Sequence, residues 1–124
     1  MSTDLEFDQG PAVSITTDNV QTSGGSYAVP INNVVLVEMR VAAIAPDGTA
    51  AMWGIRGCIK RATGNLVAVG SVLQLFVPQK DAAAALWDVS FALNGDRVEV
   101  RVTGDAVKTV FWFIDSVFKG FKFA

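Results

Sequence analysis

The chain has 124 residues, of which 51% are hydrophobic and 18% are charged, and its formal net charge is −2. This length fits one domain with one hydrophobic core, and the ten basic residues are scattered, which excludes the clustered positive charge of a nucleic-acid-binding protein. No apolar run reaches the length of a membrane helix, no histidine is present, and Cys58 is the single cysteine, so the sequence predicts no membrane span and no disulfide within the chain.

The first eleven residues predict an N-terminal arm that ends at the turn signal Gly10-Pro11, and residues 12–124 predict the folded domain. The arm is acidic and has no apolar run, so it is not a signal peptide. Leu5 and Phe7 alternate with acidic residues in this arm. Two states remain open: a disordered tail, or a strand that adds to the sheet edge of a partner.

Most of the remaining chain consists of short stretches in which apolar and polar residues alternate, which is the period of a half-buried strand. In residues 12–17 this pattern predicts that Val13 and Ile15 face inward. In residues 34–45, which end before the turn Pro46-Asp47-Gly48, it predicts that four residues face inward and that Glu38 and Arg40 face outward. The eight predicted strands cover residues 12–17, 26–29, 34–45, 51–61, 66–77, 86–93, 97–103 and 108–118.

Two of these strands stand out. Residues 97–103 alternate charged and valine side chains strictly, and Asn94-Gly95-Asp96 before them predicts a tight hairpin turn. Residues 66–77 are almost wholly apolar, which predicts a strand that is buried on both faces or packed against another chain. A short alanine run at 82–85 is compatible with one helical turn. The sequence therefore predicts an all-β fold, an antiparallel β-sandwich of jelly-roll type with about eight strands.

The residues of ordinary catalysis are largely missing. Without histidine, Cys58 has no imidazole to activate it, and the twelve acidic residues are spread singly, so no metal site, catalytic residue or cofactor is predicted. Two close carboxylates would be enough for a glycosidase, and the residues to consider are Asp88, Asp96, Glu99 and Asp115. Because most of these carboxylates fall at turns or at outward strand positions, we expect a protein that is not an enzyme.

The C-terminus is rich in aromatic residues. Six of the twelve aromatic residues of the chain follow Val110, and Phe118, Phe121 and Phe123 alternate with basic residues in the last seven positions. Exposed phenylalanines at a chain end favour aggregation, so we expect these rings to dock on a surface. That surface is the domain's own sheet, a neighbouring subunit or another protein. The candidate interface comprises Leu5, Phe7, Phe118, Phe121 and Phe123.

Seven segments of the chain carry a resemblance to a known group of proteins: YAVPI (27–31), VEMRV (37–41), IKR (59–61), VGSV (69–72), LWDVSF (86–91), VEVRVTG (98–104) and KTVFW (108–112). From about Thr16 to its end, the chain resembles a small β-sandwich domain of virion proteins of tailed bacteriophages. The resemblance implies a jelly-roll-like fold, often trimeric, in a capsid decoration protein or in a tail fibre or spike. It assigns no catalytic residues.

We therefore expect a structural virion protein, made in the cytoplasm of the host bacterium. The first interpretation is a capsid decoration (cement) protein that binds the major capsid protein or another virion protein and forms a homotrimer. The alternative is a tail fibre or spike module that contacts the host cell surface. If that module bound a sugar, Tyr27 and Trp53 would be the candidate rings, although both also suit a core or a subunit contact.

Overall fold

A computed structural model describes the backbone of residues 3–123 and the side chains of residues 12–123. Within this part of the chain, nine strands alternate with turns, and one 3₁₀ turn (Ala82–Ala84) precedes the seventh strand. No helix in the same residues is long and apolar enough to cross a membrane. The strands are β1 (Thr3–Thr16), β2 (Thr22–Ala28), β3 (Asn33–Ile44), β4 (Ala50–Arg61), β5 (Val67–Ala68), β6 (Leu73–Lys80), β7 (Asp88–Asn94), β8 (Arg97–Thr103) and β9 (Val110–Lys122).

The strands form two antiparallel sheets. In the large sheet the order is β1-β9-β3-β4-β5, with β6 also paired to β4, and in the small sheet it is β2-β8-β7. The hairpin between β7 and β8 turns at Gly95, whose φ of 64° suits a glycine. The long hairpin between β3 and β4 pairs Asn33 with Arg61 and Ile44 with Ala50 without a register shift.

The core lies between the two sheets. The inward residues of β3, from Val35 to Ala43, are at most 2% exposed, and they face Val98, Val100 and Val102 of β8, which are equally buried. Three tryptophans fill the centre: the ring of Trp112 lies 5.5 Å from that of Trp53 and 6.2 Å from that of Trp87. This arrangement confirms the predicted antiparallel all-β fold with a sandwich-like core. The division into six and three strands leaves the jelly-roll type a prediction.

The predicted orientation of β1 is wrong. Val13 and Ile15 are 62% and 58% exposed, whereas Thr16 is buried. The hydroxyl of Thr16 accepts a hydrogen bond from Nε1 of Trp112 at 2.9 Å. Because a buried indole N–H needs an acceptor, the strand turns its threonine inward and its two β-branched apolar side chains outward.

The apolar segment 66–77 is not one strand buried on both faces. It forms β5 and part of β6, separated by a turn with Gly70 at φ 74°. Leu66 is buried, but Val72 and Leu73 are 52% and 56% exposed and Val77 is 78% exposed. Both strands pair with β4 only, so this segment forms the border of the large sheet instead of its middle. The predicted packing against another chain stays a prediction.

The predicted boundary between an arm and a domain at residue 11 also stays a prediction. In the structure, β1 crosses that boundary, and the backbone from Thr3 to Asp8 pairs in register with β9 between Val117 and Lys122. A register shift at Asp8 and Gly10 separates this part of β1 from the part that begins at Gly10.

A candidate interaction surface

The surface of the large sheet that faces away from the core, which we call the outer face, carries an exposed apolar patch. One row of register partners crosses four strands as Val13, Phe113, Ala42 and Met52. Three of them are about half exposed: Val13 at 62%, Phe113 at 48% and Met52 at 47%. Residues directly opposite each other on neighbouring antiparallel strands share a face, so these side chains form one continuous strip.

A second apolar row runs beside the first. It joins Ile15, Phe111, Ile44 and Ala50 on the same four strands. Ile15 and Ile44 are 58% and 43% exposed. Together the two rows, which we call the apolar patch, place exposed aliphatic and aromatic side chains side by side, whereas exposed apolar residues on a soluble surface usually stand alone.

The surface of the apolar patch is uneven, because small side chains lie between larger ones. An open groove of about 550 Å³ is lined by Ala42, Ile44, Met52 and Phe113, and Gln79, Lys80 and Asp81 at the end of β6 add polar groups to its border. A second shallow groove of about 230 Å³ shares Ala42, Met52 and Phe113 with the first. The patch therefore has ridges and hollows that another protein surface can fill.

A band of charges borders the apolar patch on the outer face. Arg40 and Asp115 are register partners on β3 and β9, and Glu38 lies 3.8 Å from Arg56 on β4. Among the side chains that the structure describes, Arg40 and Asp115 make no ion pair or hydrogen bond. The band thus contains two acids and two bases.

The five residues of the predicted interface have different environments. Phe118 is 2% exposed and packs edge-on against Tyr27 with ring centroids 5.1 Å apart, so it belongs to the protein's own core. Phe121 and Phe123 are 42% and 48% exposed near the end of β9. The side chains of Leu5 and Phe7 lie outside the described residues, although their backbones pair with Gly120 and Phe118.

The two rings considered for sugar binding do not form an open platform. Trp53 is 2% exposed and stacks in the tryptophan cluster, with Nζ of Lys80 5.6 Å from its ring centroid. Tyr27 is half-buried against Phe118. A sugar platform presents the face of a ring to solvent, and the buried ring of Trp53 does not do so.

The four carboxylates considered for a glycosidase are dispersed. Glu99 lies on β8 of the small sheet and pairs with Arg101 at 3.0 Å, whereas Asp115 lies on the outer face of the large sheet. Asp96 lies in the β7–β8 turn, 3.8 Å from Arg61, and Asp88 begins β7. No group of three metal-ligating side chains occurs among the residues with described positions.

The sequence interpretation missed the apolar patch for two reasons. For Val13 and Ile15 the alternation was predicted correctly, but the side chains face outward and not inward as predicted. Phe113 lies in the unbroken apolar run from Val110 to Ile114, where alternation gives no sign of which side chains face the core. The signal that was available is an excess of large apolar residues over what one side of a strand can bury.

No protein-family model matches the sequence, and no curated protein is significantly similar to it. The solved structures that are similar in strand arrangement include two tailspike proteins. One is the tailspike protein gp49 of Acinetobacter baumannii bacteriophage Fri1, a capsular polysaccharide depolymerase, with 11% identity and a TM-score of 0.44 over 86% of this chain. The other is the tailspike protein of Acinetobacter baumannii phage AM24, with 8% identity and a TM-score of 0.46 over 96% of this chain.

The chain spans only 17% and 26% of the length of those two tailspikes. At such identities and TM-scores the similarity concerns the arrangement of the strands alone, and nothing about activity follows from it.

Proposed function

We propose that this chain is a structural β-domain of a tailed-bacteriophage particle, which acts by forming contacts between subunits and not by catalysis. The observation that carries this proposal is the apolar patch: Phe113 and Met52 are about half exposed on either side of Ala42, and Ile15 is 58% exposed in the neighbouring row. Contiguous exposed apolar surface of this kind is typical of protein–protein interfaces. The resemblance of seven sequence segments to virion β-sandwich domains supplies the phage context.

Within the particle we propose a position in a tail spike or fibre, which was the alternative in the sequence interpretation, ahead of capsid decoration. The two solved structures described above are tailspikes. Likeness at that level carries no argument about function, so it only decides that the tail position is tested first. The dispersed carboxylates Glu99, Asp96 and Asp115 support a role without glycosidic chemistry.

The experiment is to locate the chain in purified particles of the phage that encodes it. Gold-labelled antibodies raised against the purified chain are expected to mark the tail in negatively stained particles. A label spread over the capsid would contradict the tail position and support the first interpretation, a capsid decoration protein. Absence of the chain from washed particles, measured by mass spectrometry, would overturn the virion role itself.

A further inference from the structure

We propose that a cavity between the borders of the two sheets, which we call the edge cavity, binds a small uncharged apolar molecule of the size of a benzene ring. Its walls come from the large sheet, the small sheet and the connection between β5 and β6. The lining residues that matter for the argument are Val37, Gly57, Gly70, Val72, Phe91 and Val98. The edge cavity shares no lining residue with the apolar patch, so this proposal is independent of the proposed function.

A glycine on β4 leaves the space of the edge cavity open. Gly57 lies between Ile55 and Ile59 on the inward side of the strand, and both isoleucines are 6% exposed, whereas Gly57 is only half-buried. A Cβ on Gly57 would lie 3.7 Å from Phe91 and 3.7 Å from Val72, which is ordinary contact distance. The position therefore has room for added atoms without displacing its neighbours.

The edge cavity lies at a division of the core. The buried side chains form two separate clusters, one with the three tryptophans and one with Phe118. On the cavity wall, Val37 and Val98 belong to the second cluster, and Phe91 packs against both. A molecule in the edge cavity would contact both sheets and complete the packing there, which is the source of dispersion energy in a protein interior.

The volume and the lining of the edge cavity determine which molecules it takes. Its volume is about 170 Å³, and an apolar cavity of about 150 Å³ stays dry and binds benzene or xenon. Among the described residues that line it, none is charged, and Ser71 and Cys58 alone carry a hydroxyl or a thiol. A charged ligand would lose its hydration without gaining an ion pair, so the lining selects uncharged apolar molecules.

The edge cavity has a mouth. Gly70 and Ser71, which line it in the β5–β6 connection, are both exposed to solvent, and Val72 beside them is 52% exposed. A small molecule can therefore enter from this side without separating the two sheets.

The first test is a nuclear magnetic resonance titration of the purified full-length chain with benzene. Saturable shifts are expected at amides around Gly57 and Phe91, with a dissociation constant on the order of 1 mM, which a ligand of six heavy atoms can reach. Nuclear Overhauser effects are expected between benzene and the methyl groups of Val37 and Val98. The absence of saturable binding would overturn the proposal, and so would contacts confined to the apolar patch.

The second test fills the edge cavity from Gly57. Its φ is not positive, so the backbone accepts a side chain there. Gly57→Val is expected to raise the dissociation constant of benzene by at least about tenfold, and Gly57→Ala by less, because the loss follows the volume added. Gly57→Ala, whose Cβ makes only ordinary contacts, keeps the test valid if the larger valine prevents folding.

The matched control adds the same methyl group elsewhere. Gly64 lies between β4 and β5, and a Cβ there meets nothing within 4 Å, so Gly64→Ala is expected to bind benzene as the wild type does. Wild-type affinity in both Gly57→Ala and Gly57→Val would overturn the assignment of the site.

Binding is also expected to stabilise the fold, because a ligand that binds only the folded chain raises the free energy of unfolding. At ten times its dissociation constant, benzene is expected to raise the unfolding temperature of the wild-type chain by roughly 5 °C, measured by circular dichroism. Gly57→Val is expected to show a much smaller rise. An equal rise in the wild type and in Gly57→Val would show that benzene acts at another place and would contradict the proposal.

Discussion

Thr16 and Trp112 are 96 positions apart in the sequence, and they share a buried hydrogen bond in which Nε1 of Trp112 donates to Oγ1 of Thr16 at 2.9 Å. Trp112 is fully buried at the centre of the tryptophan cluster, and Thr16 is 4% exposed at the end of β1. This bond fixes which face of β1 points to the core. It therefore also determines that Val13 and Ile15 belong to the apolar patch.

Replacing this threonine by its apolar isostere tests the bond. Thr16→Val keeps the shape of the side chain but removes the acceptor, so the indole N–H of Trp112 remains buried without a partner. A buried unsatisfied donor costs about 1–3 kcal/mol, and we expect a loss of that size in the free energy of unfolding, measured by urea denaturation. Thr17→Val, at the exposed neighbouring position, is the control and is expected to change little.

Gly104 lies against the same threonine, and its lack of a side chain is required there. A Cβ at this position would collide with Oγ1 of Thr16 and lie 3.2 Å from the carbonyl oxygen of Asp18. We expect Gly104→Ala to destabilise the fold by about 1–3 kcal/mol through overpacking. Gly64→Ala is the control because a Cβ there meets nothing within 4 Å; equal unfolding midpoints for the two variants would contradict the collision.

Regular strands such as β3 and β8 could be predicted from the sequence because charged residues mark their outward side. Glu38 and Arg40 identify the outer face of β3, and Arg97, Glu99 and Arg101 do the same for β8. In β1 no charged residue lies between Val13 and Thr16 to mark the outward side, and the inward residue is the one that bonds a tryptophan nearly a hundred positions away. The local sequence pattern of β1 contains no information about a hydrogen-bond partner so distant in the sequence.

The border of the large sheet was unpredictable for a different reason. Residues 66–77 have the apolar content of a central strand, yet β5 and β6 lie outside β4 and leave Leu73 and Val77 exposed. Strand order depends on pairing between segments that are distant in the sequence: β3 pairs over its whole length with both β4 and β9, which places these three strands side by side. Apolar content alone predicts burial, but it does not determine where in the sheet a strand lies.

Asp47 makes the stability of the fold depend on pH in the acid range. The backbone N–H of Thr49 and the ammonium group of Lys108, each 3.0 Å from a carboxylate oxygen, lower the pKa of Asp47 from 3.8 to about 2. Because the pKa is lower in the folded state, this contribution to stability is complete above about pH 4 and is lost as the pH falls towards 2.

Asp47→Asn is therefore expected to flatten the fall of the unfolding temperature between pH 4 and pH 2, measured by circular dichroism, since an amide does not titrate. Lys108→Met removes the second-largest cause of the lowered pKa of Asp47. It is expected to flatten the pH profile less than Asp47→Asn does, because the backbone N–H of Thr49 still donates to the carboxylate. If the Asp47→Asn and wild-type profiles have the same slope over this range, the carboxylate does not make these contacts in solution.

The pairing of β1 with β9 can be tested by removing residues 1–10. In the structure the backbone from Thr3 to Asp8 covers one side of β9 between Val117 and Lys122. Deletion would expose that side of β9 as a sheet edge, so we expect faster hydrogen exchange at amides of residues 117–122 and a lower free energy of unfolding. Amides of β8, which lies in the other sheet, are the internal control. Unchanged exchange in β9 would contradict the pairing and favour the disordered tail, which is one of the two states that the sequence leaves open.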